Sequence, residues 1–158
     1  GTGGGTIQIS VDPAVNDVVR TASLAIVYGN KSAEIEVSQE PLTNITLSVS
    51  TNELEQFLAD GGERTFRVES NAAWRAFVPS SAQSWLRIEP AGGVGNGEVR
   101  VFCEGNQNSS RPRLSLIIVV AGTADPKQAD ILVEQEAGEG SNVPEQDGNP
   151  NPQLAPQL

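Results

Sequence analysis

The sequence predicts an all-β protein. Short segments alternate apolar and polar residues, and the apolar set is mostly Val, Ile, Leu and Ala, with aromatics at only 4%. Gly and Pro are frequent, at 16 and 10 of the 158 residues. A period of two places apolar side chains on one face of a strand, and clusters of Gly, Pro, Asn and Asp mark turns. We therefore expect a series of amphipathic strands joined by turns.

The first forty residues contain three predicted strands. These strands are TIQISVD, SLAIVY and AEIEVSQ, and Gly29-Asn30 provides a two-residue turn between the last two. The apolar residues expected on their inner faces are Ile7, Ile9, Val11, Leu24, Ile26, Tyr28, Ile35 and Val37. We expect residues 1–40 to form one unit and residues 41–44 to be a short linker.

Residues 45–137 are expected to form one complete domain. Strand-like alternation recurs in ITLSVS, TFRVES, WRAFV, SWLRIEP, EVRVFCE, RLSLIIVVAG and ADILVEQE, with a Gly-rich turn at 92–97. The segment NELEQFLAD (52–60) has apolar residues at helical spacing. Because its neighbours are all strands, we expect an irregular strand or a single turn there.

Alternation also divides the side chains of this domain between the two faces of each strand. The expected core set is Trp74, Leu86, Ile88, Val99, Val101, Cys103, Leu116 and Ile118, together with Leu114 and Val120. The expected outward apolar set is Phe77, Phe102, Ile117 and Val119. Apolar residues gathered on the solvent side of a sheet mark a contact surface, unless a β-bulge turns some of them inward.

The two tryptophans are either sugar-stacking platforms or core residues. Trp74 shares its face with Ala76 and Val78, which favours the core. Trp85 stands at the start of its strand, where Leu86 and Ile88 take the opposite face. For Trp85, both core packing and contact with a sugar or a partner stay open.

Composition excludes several classes of site. The chain has no His and one Cys, which excludes Ser-His-Asp and Cys-His catalysis, the common zinc sets and an internal disulfide of Cys103. A net charge of −10 opposes binding to nucleic acid or to anionic lipid, and no apolar run reaches membrane-spanning length. We expect no catalytic residue, no metal, no cofactor and no membrane insertion.

Carboxylates in the predicted turns are either calcium ligands or solvated turn residues. They are Asp12, Asp17, Asp60, Glu63, Asp125 and Asp130. Their spacing matches no known calcium loop, so solvated turn residues are favoured.

The first forty residues repeat the end of the complete domain. GGGTIQISVD matches GNGEVRVFCE, RTASLAIVYG matches the longer RPRLSLIIVVAG, and AEIEVSQE matches ADILVEQE after a longer loop. The same order of strands and turns indicates an internal repeat. Because the first copy has no counterpart of residues 45–89, we interpret it as the C-terminal half of a domain. Residues 138–158 are rich in Pro, Gly, Asn and acid, and are expected to be a tail or linker.

A family resemblance rests on short motifs. Trp74, SWLRIEPAGGVGNG, a strand led by Arg111 and the closing VEQE resemble the Bacteroidetes-associated carbohydrate-binding often N-terminal (BACON) domain. The closing Val-x-Gln occurs in both copies, as VSQ at 37–39 and VEQ at 133–135. The resemblance implies a seven-strand, immunoglobulin-like antiparallel β-sandwich, often in tandem, in bacterial cell-surface or secreted proteins.

The resemblance also implies a choice of functions. The first is a non-catalytic extracytoplasmic spacer or adhesion module in a glycan-handling protein. The alternative is a carbohydrate-binding module for host or dietary glycans, and the third is a part of a glycoside hydrolase. A binding module needs an exposed aromatic platform or a polar groove, whereas a spacer needs neither. The expected partners are a glycan, or another protein chain that completes residues 1–40 by strand addition.

Overall fold

The computed structural model describes residues 4–139, and every regular element in that range is a β-strand. In chain order the strands are β1 Arg20–Tyr28, β2 Lys31–Gln39, β3 Leu47–Val49, β4 Gly62–Ser70, β5 Ala73–Phe77, β6 Leu86–Glu89, β7 Gly92–Val94, β8 Gly97–Cys103, β9 Arg113–Ala121 and β10 Lys127–Gln135. None of the described residues belongs to a helix long and apolar enough to cross a bilayer.

Strands β3 to β10 form an immunoglobulin-like antiparallel β-sandwich, as predicted. One sheet has the order β10-β9-β5-β7 and the other has the order β3-β4-β8-β6. The apolar inner faces of both sheets meet in one core, to which all of the buried hydrophobic residues in the described range belong. The sandwich has eight strands, one more than the resemblance implies, because the short β7 lies in the Gly-rich segment predicted as a turn.

The segment between β3 and β4 is an irregular extended stretch, as predicted for NELEQFLAD. Bridges from Glu53 to Leu132 and from Phe57 to Gln135 set it parallel to β10. The Phe57 side chain is fully buried. The segment therefore covers the edge of the sheet at β10, whose backbone groups would otherwise stay open to pairing.

The inward face predicted for β9 is wrong. Ile117 and Val119 are completely buried, whereas Leu116 is 40% exposed and Leu114 is 66% exposed. The sequence alternation does not indicate which face of β9 is buried, because almost every residue of this strand is apolar, on both faces. The buried face is determined by pairing with β10, where Ile117 lies opposite the buried Ile131. Accordingly Leu116 and Ile118 are not core residues of this strand; Ile118 is half-buried on the outer side.

The first copy forms a two-stranded hairpin that joins neither sheet of the sandwich. Strands β1 and β2 pair along their whole length, with Leu24 opposite Ile35 and Ala22 opposite Val37. Their apolar side chains stay largely open, and Ile35 is 42% exposed. In the complete copy the equivalent face is covered by the second sheet.

The strand predicted at TIQISVD does not form. Residues 4–16 have no regular structure, and Ile7, Ile9 and Val11 are exposed. Their counterpart in the complete copy is β8, which pairs with both β4 and β6. Because the described part of the first copy supplies no such neighbours, the segment has no ladder of hydrogen bonds to join.

Candidate contact surfaces

The outer face of the β10-β9-β5-β7 sheet carries a continuous apolar surface. Its members, which we call the β9 face, are Leu114, Leu116, Ile118 and Val120 on β9, Phe77 on β5 and Leu132 on β10. Phe77 lies opposite Ile118 on one side, and Leu132 lies opposite Leu116 on the other. Apolar side chains gathered on the solvent side of a sheet mark a contact surface.

The structure does not bring the predicted outward residues together. Phe77 and Phe102 both point outward, but they lie on different sheets and so on opposite surfaces of the sandwich. Ile117 and Val119 point into the core. The sequence predicts an apolar outer surface, and Phe77 belongs to it. The two residues assigned to it on β9, Ile117 and Val119, are wrong because the buried face of that strand is the opposite one.

Phe102 is covered by cationic side chains. The guanidinium carbon of Arg87, its cross-strand neighbour, lies 4.0 Å from the ring centroid, and that of Arg100 lies 5.5 Å away. Such cation–π contacts are favourable and occupy the ring faces that a ligand would use. Phe102 is therefore a weak candidate for ligand contact.

Neither tryptophan presents a platform for stacking. The Trp74 indole is buried, and its Nε1–H donates a hydrogen bond to the Gly95 carbonyl at 2.8 Å. A Cβ on Gly93 or Gly97 would come within 2.8 Å of this indole, so both positions require glycine. Trp85 is 9% exposed and lies beneath the Arg113 guanidinium, 5.6 Å from its ring.

A shallow depression lies at one end of the β9 face, next to Phe77. Its lining includes Asn16 from the first copy together with Arg75, Phe77 and Thr123 from the sandwich. The Phe77 side chain is 47% exposed there. An exposed ring beside several polar groups is the arrangement by which proteins hold sugars, although an open depression gives little enclosure. We call it the Phe77 depression.

The loop before β1 is hydrogen-bonded to the sandwich. The Val15 carbonyl accepts from the Ala73 N–H, and the Asn16 carbonyl accepts from the Leu42 N–H, both at 2.8 Å. The Asp17 carboxylate accepts hydrogen bonds from three consecutive backbone amides of the β9–β10 loop, residues 123–125. These bonds, first that from the Asp125 N–H, lower the pKa of Asp17 below its usual value.

Asp17 therefore serves in a contact between the two copies. The other turn carboxylates considered as calcium ligands are Asp12, Asp60, Glu63, Asp125 and Asp130, of which Asp125 lies beside Asp17. Among residues 4–139 there is no group of three His, Cys, Asp or Glu side chains placed to hold a metal ion.

Two protein-family models match this chain, one over each of its two parts. The model described as "Viral BACON domain" matches residues 46–134, more than half of the chain. The BACON model described as "Putative binding domain, N-terminal" matches residues 1–40. The chain belongs to the BACON family. The resemblance found in the sequence is thereby confirmed, and the two matches agree with a tandem of BACON copies. No curated protein matches the chain.

Solved structures align with part of this chain. A Bacteroides ovatus GH5 xyloglucanase in complex with a XXXG heptasaccharide aligns at 22% identity and a TM-score of 0.50, over 58% of this chain and 19% of the xyloglucanase. The periplasmic chaperone SfaE aligns at 13% identity and 0.48, over 64% of this chain and 62% of its own. A PapD-like domain of human CEP192 aligns at 9% identity and 0.42, over 58% and 84%. At 22% identity, the alignment with the xyloglucanase bears on the fold alone.

Two buried polar residues fix the last strand of the sandwich, and neither was predicted from the sequence as a buried polar group. Gln135 is fully buried, and its Nε2 donates to the carbonyls of Leu58 (3.2 Å) and Glu104 (2.9 Å). Asn106 is 1% exposed, and its Nδ2 donates to the carbonyls of Arg111 and Glu136. The burial of Gln135 could have been predicted, because the sequence places this Gln at an inward position of an apolar strand. A buried Gln needs hydrogen-bond partners.

Cys103 is not a reactive thiol. It is buried in the core beside the inward residues of β8. Burial raises its pKa to about 11, so the thiol is protonated at neutral pH. The position of Cys103 therefore agrees with its prediction as a small core side chain.

Proposed function

We propose that this chain is a non-catalytic spacer or adhesion module of an extracytoplasmic, surface-exposed or secreted bacterial protein that handles glycans. In this proposal residues 1–40 are the C-terminal half of one BACON copy and residues 41–44 are a linker. Residues 45–137 are a complete copy, and residues 138–158 are a tail or linker. All of the last segment except Gly138 and Glu139 lies outside the described residues.

The spacer role is supported most by the joint between the copies. Backbone hydrogen bonds connect Val15 to Ala73 and Asn16 to Leu42, and the Asp17 carboxylate binds residues 123–125. A linker of a few residues that is also bridged by hydrogen bonds restricts the angle between its two units. A restricted angle is what a spacer requires.

The test is the orientation of the hairpin relative to the sandwich in solution. Residual dipolar couplings of backbone amides in β1, β2, β9 and β10 should fit a single alignment tensor. A variant that combines a Gly-Ser-Gly-Ser insertion after Thr43 with Asp17→Ala lengthens the linker and removes the carboxylate contact, so it serves as a flexible control and should require separate tensors. Separate tensors for the unmodified chain would refute the rigid spacer.

The adhesion role is supported by the β9 face. Its centre is purely apolar, while Asp130 and Glu134 occupy outward positions on the neighbouring β10, opposite Ile118 and Leu114. The matching partner is a protein surface with apolar side chains at its centre and basic residues at its rim. A sugar is a poorer match because aliphatic side chains neither stack on it nor bond its hydroxyl groups.

Carbohydrate binding is a second candidate, supported by the Phe77 depression. Its exposed ring is flanked by Arg75, Asn16 and Thr123, which carry donors and acceptors. The XXXG heptasaccharide present in the xyloglucanase complex is a suitable first probe. We expect Phe77→Ala to abolish any binding seen by calorimetry and Phe102→Ala, on the opposite surface, to retain it. Equal loss in both variants, or binding that survives Phe77→Ala, would exclude the depression.

A further protein partner is proposed for the open hairpin. Leu24, Ile26, Ile35 and Val37 correspond to residues that the complete copy buries against its second sheet. Another chain could cover them by supplying a sheet of the same kind. The inner face of such a sheet would carry apolar residues like Phe66, Val68, Val99 and Val101 of this chain.

A further inference from the structure

The two copies differ in the loop that closes their hairpins. Strands β1 and β2 are joined by two residues, Gly29-Asn30, whereas β9 and β10 are joined by five, 122–126. Both loops begin with a glycine of positive φ, 60° at Gly29 and 87° at Gly122. The strands before these glycines have the same length, so the difference is confined to the loop.

The additional residues in the longer loop are those that bind Asp17. The N–H groups of Thr123, Ala124 and Asp125 lie 2.8, 2.6 and 3.1 Å from the carboxylate oxygens of Asp17. Successive backbone amides that converge on one point form a concave site for an anion. A two-residue turn such as Gly29-Asn30 cannot offer three such groups.

We propose that the β9–β10 loop is a receptor for a carboxylate of the preceding copy, and that Asp17 is its ligand. This inference rests on the proposed spacer function, because it names the contact that fixes the angle of the joint. It also gives the joint a direction: the loop before the hairpin of one copy binds the longer hairpin loop of the next. The first copy, with its short turn, cannot receive a neighbour in this way.

The surroundings of the receptor suit a carboxylate. Lys127 lies beside it, with its Nζ 2.8 Å from the Asp125 carboxylate, and so offsets the second acidic group near Asp17. Gly122 permits the close approach, because a Cβ there would lie 2.9 Å from Ile45 Cδ1 and 3.4 Å from Asp17 Oδ2. Its positive φ also favours glycine.

The first test removes the ligand. Asp17→Ala should accelerate hydrogen exchange at the amides of residues 123–125 on the order of tenfold, because a bond to a charged acceptor is lost. The control is Asp12→Ala, whose carboxylate accepts no hydrogen bond from residues 4–139. Exchange rates in Asp17→Ala equal to those in Asp12→Ala would overturn the proposal.

The second test removes the receptor. Replacing residues 122–126 with Gly-Asn copies the first hairpin and should leave the β9–β10 amides protected. It should also make the dipolar couplings of the hairpin and the sandwich require separate tensors. A single tensor in both this variant and Asp17→Ala would refute the receptor while leaving the spacer function intact. Separate tensors already present in the unmodified chain would instead refute the spacer function.

Discussion

Arg20 lies opposite Gln39 across the first hairpin, with its Nε 3.0 Å from Gln39 Oε1. The second hairpin repeats this pair as Arg113 and Gln135, whose Nη1 and Oε1 are 3.4 Å apart. Arg113 is therefore the counterpart of Arg20 in the second copy, and residues 20–29 align with 113–122 without a gap. The two pairs differ in burial, since Gln135 is fully buried and Gln39 is not.

This difference predicts unequal effects of the same substitution. Gln135→Ala removes the Nε2 donor from the carbonyls of Glu104 and Leu58, of which Leu58 keeps the Gly61 N–H, and should cost about 1–3 kcal/mol of unfolding free energy. Gln39→Ala, at the partly buried equivalent, should cost less, at most about 0.5 kcal/mol. Urea denaturation of the two variants measures both values. Equal costs would show that burial of Gln135 has no energetic consequence.

A second prediction concerns Trp74. Its indole is buried among core residues, so Trp74→Ala should destabilise the sandwich by about 3–5 kcal/mol. A loss of that size is a large share of the stability of a small domain. Phe77→Ala, three residues along but on the outer side of β5, is the control and should change stability little. A Trp74→Ala variant that melts like the unmodified protein would contradict the core position.

The two faces of β9 give a third prediction. Ile117→Ala removes a fully buried side chain and should cost about 2–5 kcal/mol, measured by urea denaturation. Leu116→Ala, at the next position but 40% exposed, should cost at most about 1 kcal/mol. A larger loss of unfolding free energy in Leu116→Ala than in Ile117→Ala would show that the face predicted from the sequence is the buried one.

Much of the sandwich could be predicted from the sequence, because most strands have one apolar and one charged face. In β8 the residues Val99, Val101 and Cys103 alternate with Glu98 and Arg100, and the buried set is the one predicted. In β9 the run from Leu116 to Val120 is apolar at every position, so its periodicity does not indicate which face is buried. The repeat did contain this information, since the ungapped alignment matches Ile117 to Leu24, which is predicted to face inward.

The candidate surfaces were less predictable, because they depend on which strands become neighbours. Phe77 and Phe102 have the same outward orientation, but only the sheet order places them on opposite surfaces. The site of Asp17 depends on a contact between residues more than one hundred positions apart. Residues 6–12 have a clear strand pattern, yet a strand needs a partner backbone as well as a pattern.

A fourth prediction concerns the pH dependence of the joint. Hydrogen bonds from the backbone lower the pKa of Asp17 from its usual 3.8. A lowered pKa in the docked state stabilises docking above the usual value, and this contribution is lost as the pH falls through the lowered pKa. The joint should therefore be intact at neutral pH and should loosen only in strong acid.

Amide chemical shifts of residues 123–125 between about pH 6 and about pH 2 measure this transition. Asp125 and Lys127 also lie at the site. Asp17→Ala retains both groups, so the difference between the two titrations isolates Asp17. Superimposable titrations would show that its carboxylate does not hold the loop.

The last prediction concerns the removal of residues 1–40. All buried hydrophobic residues of the described chain lie between Ile45 and Val133, so the deletion should leave the sandwich folded, with a cooperative melting transition in circular dichroism. It should also abolish any self-association seen by light scattering, because the open faces of β1 and β2 are lost. Leu24→Ser combined with Ile35→Ser in the full chain is the matched control and should have the same effect on mass. Strong protection of the β1 and β2 amides in a monomeric chain would show instead that the hairpin is stable without a partner.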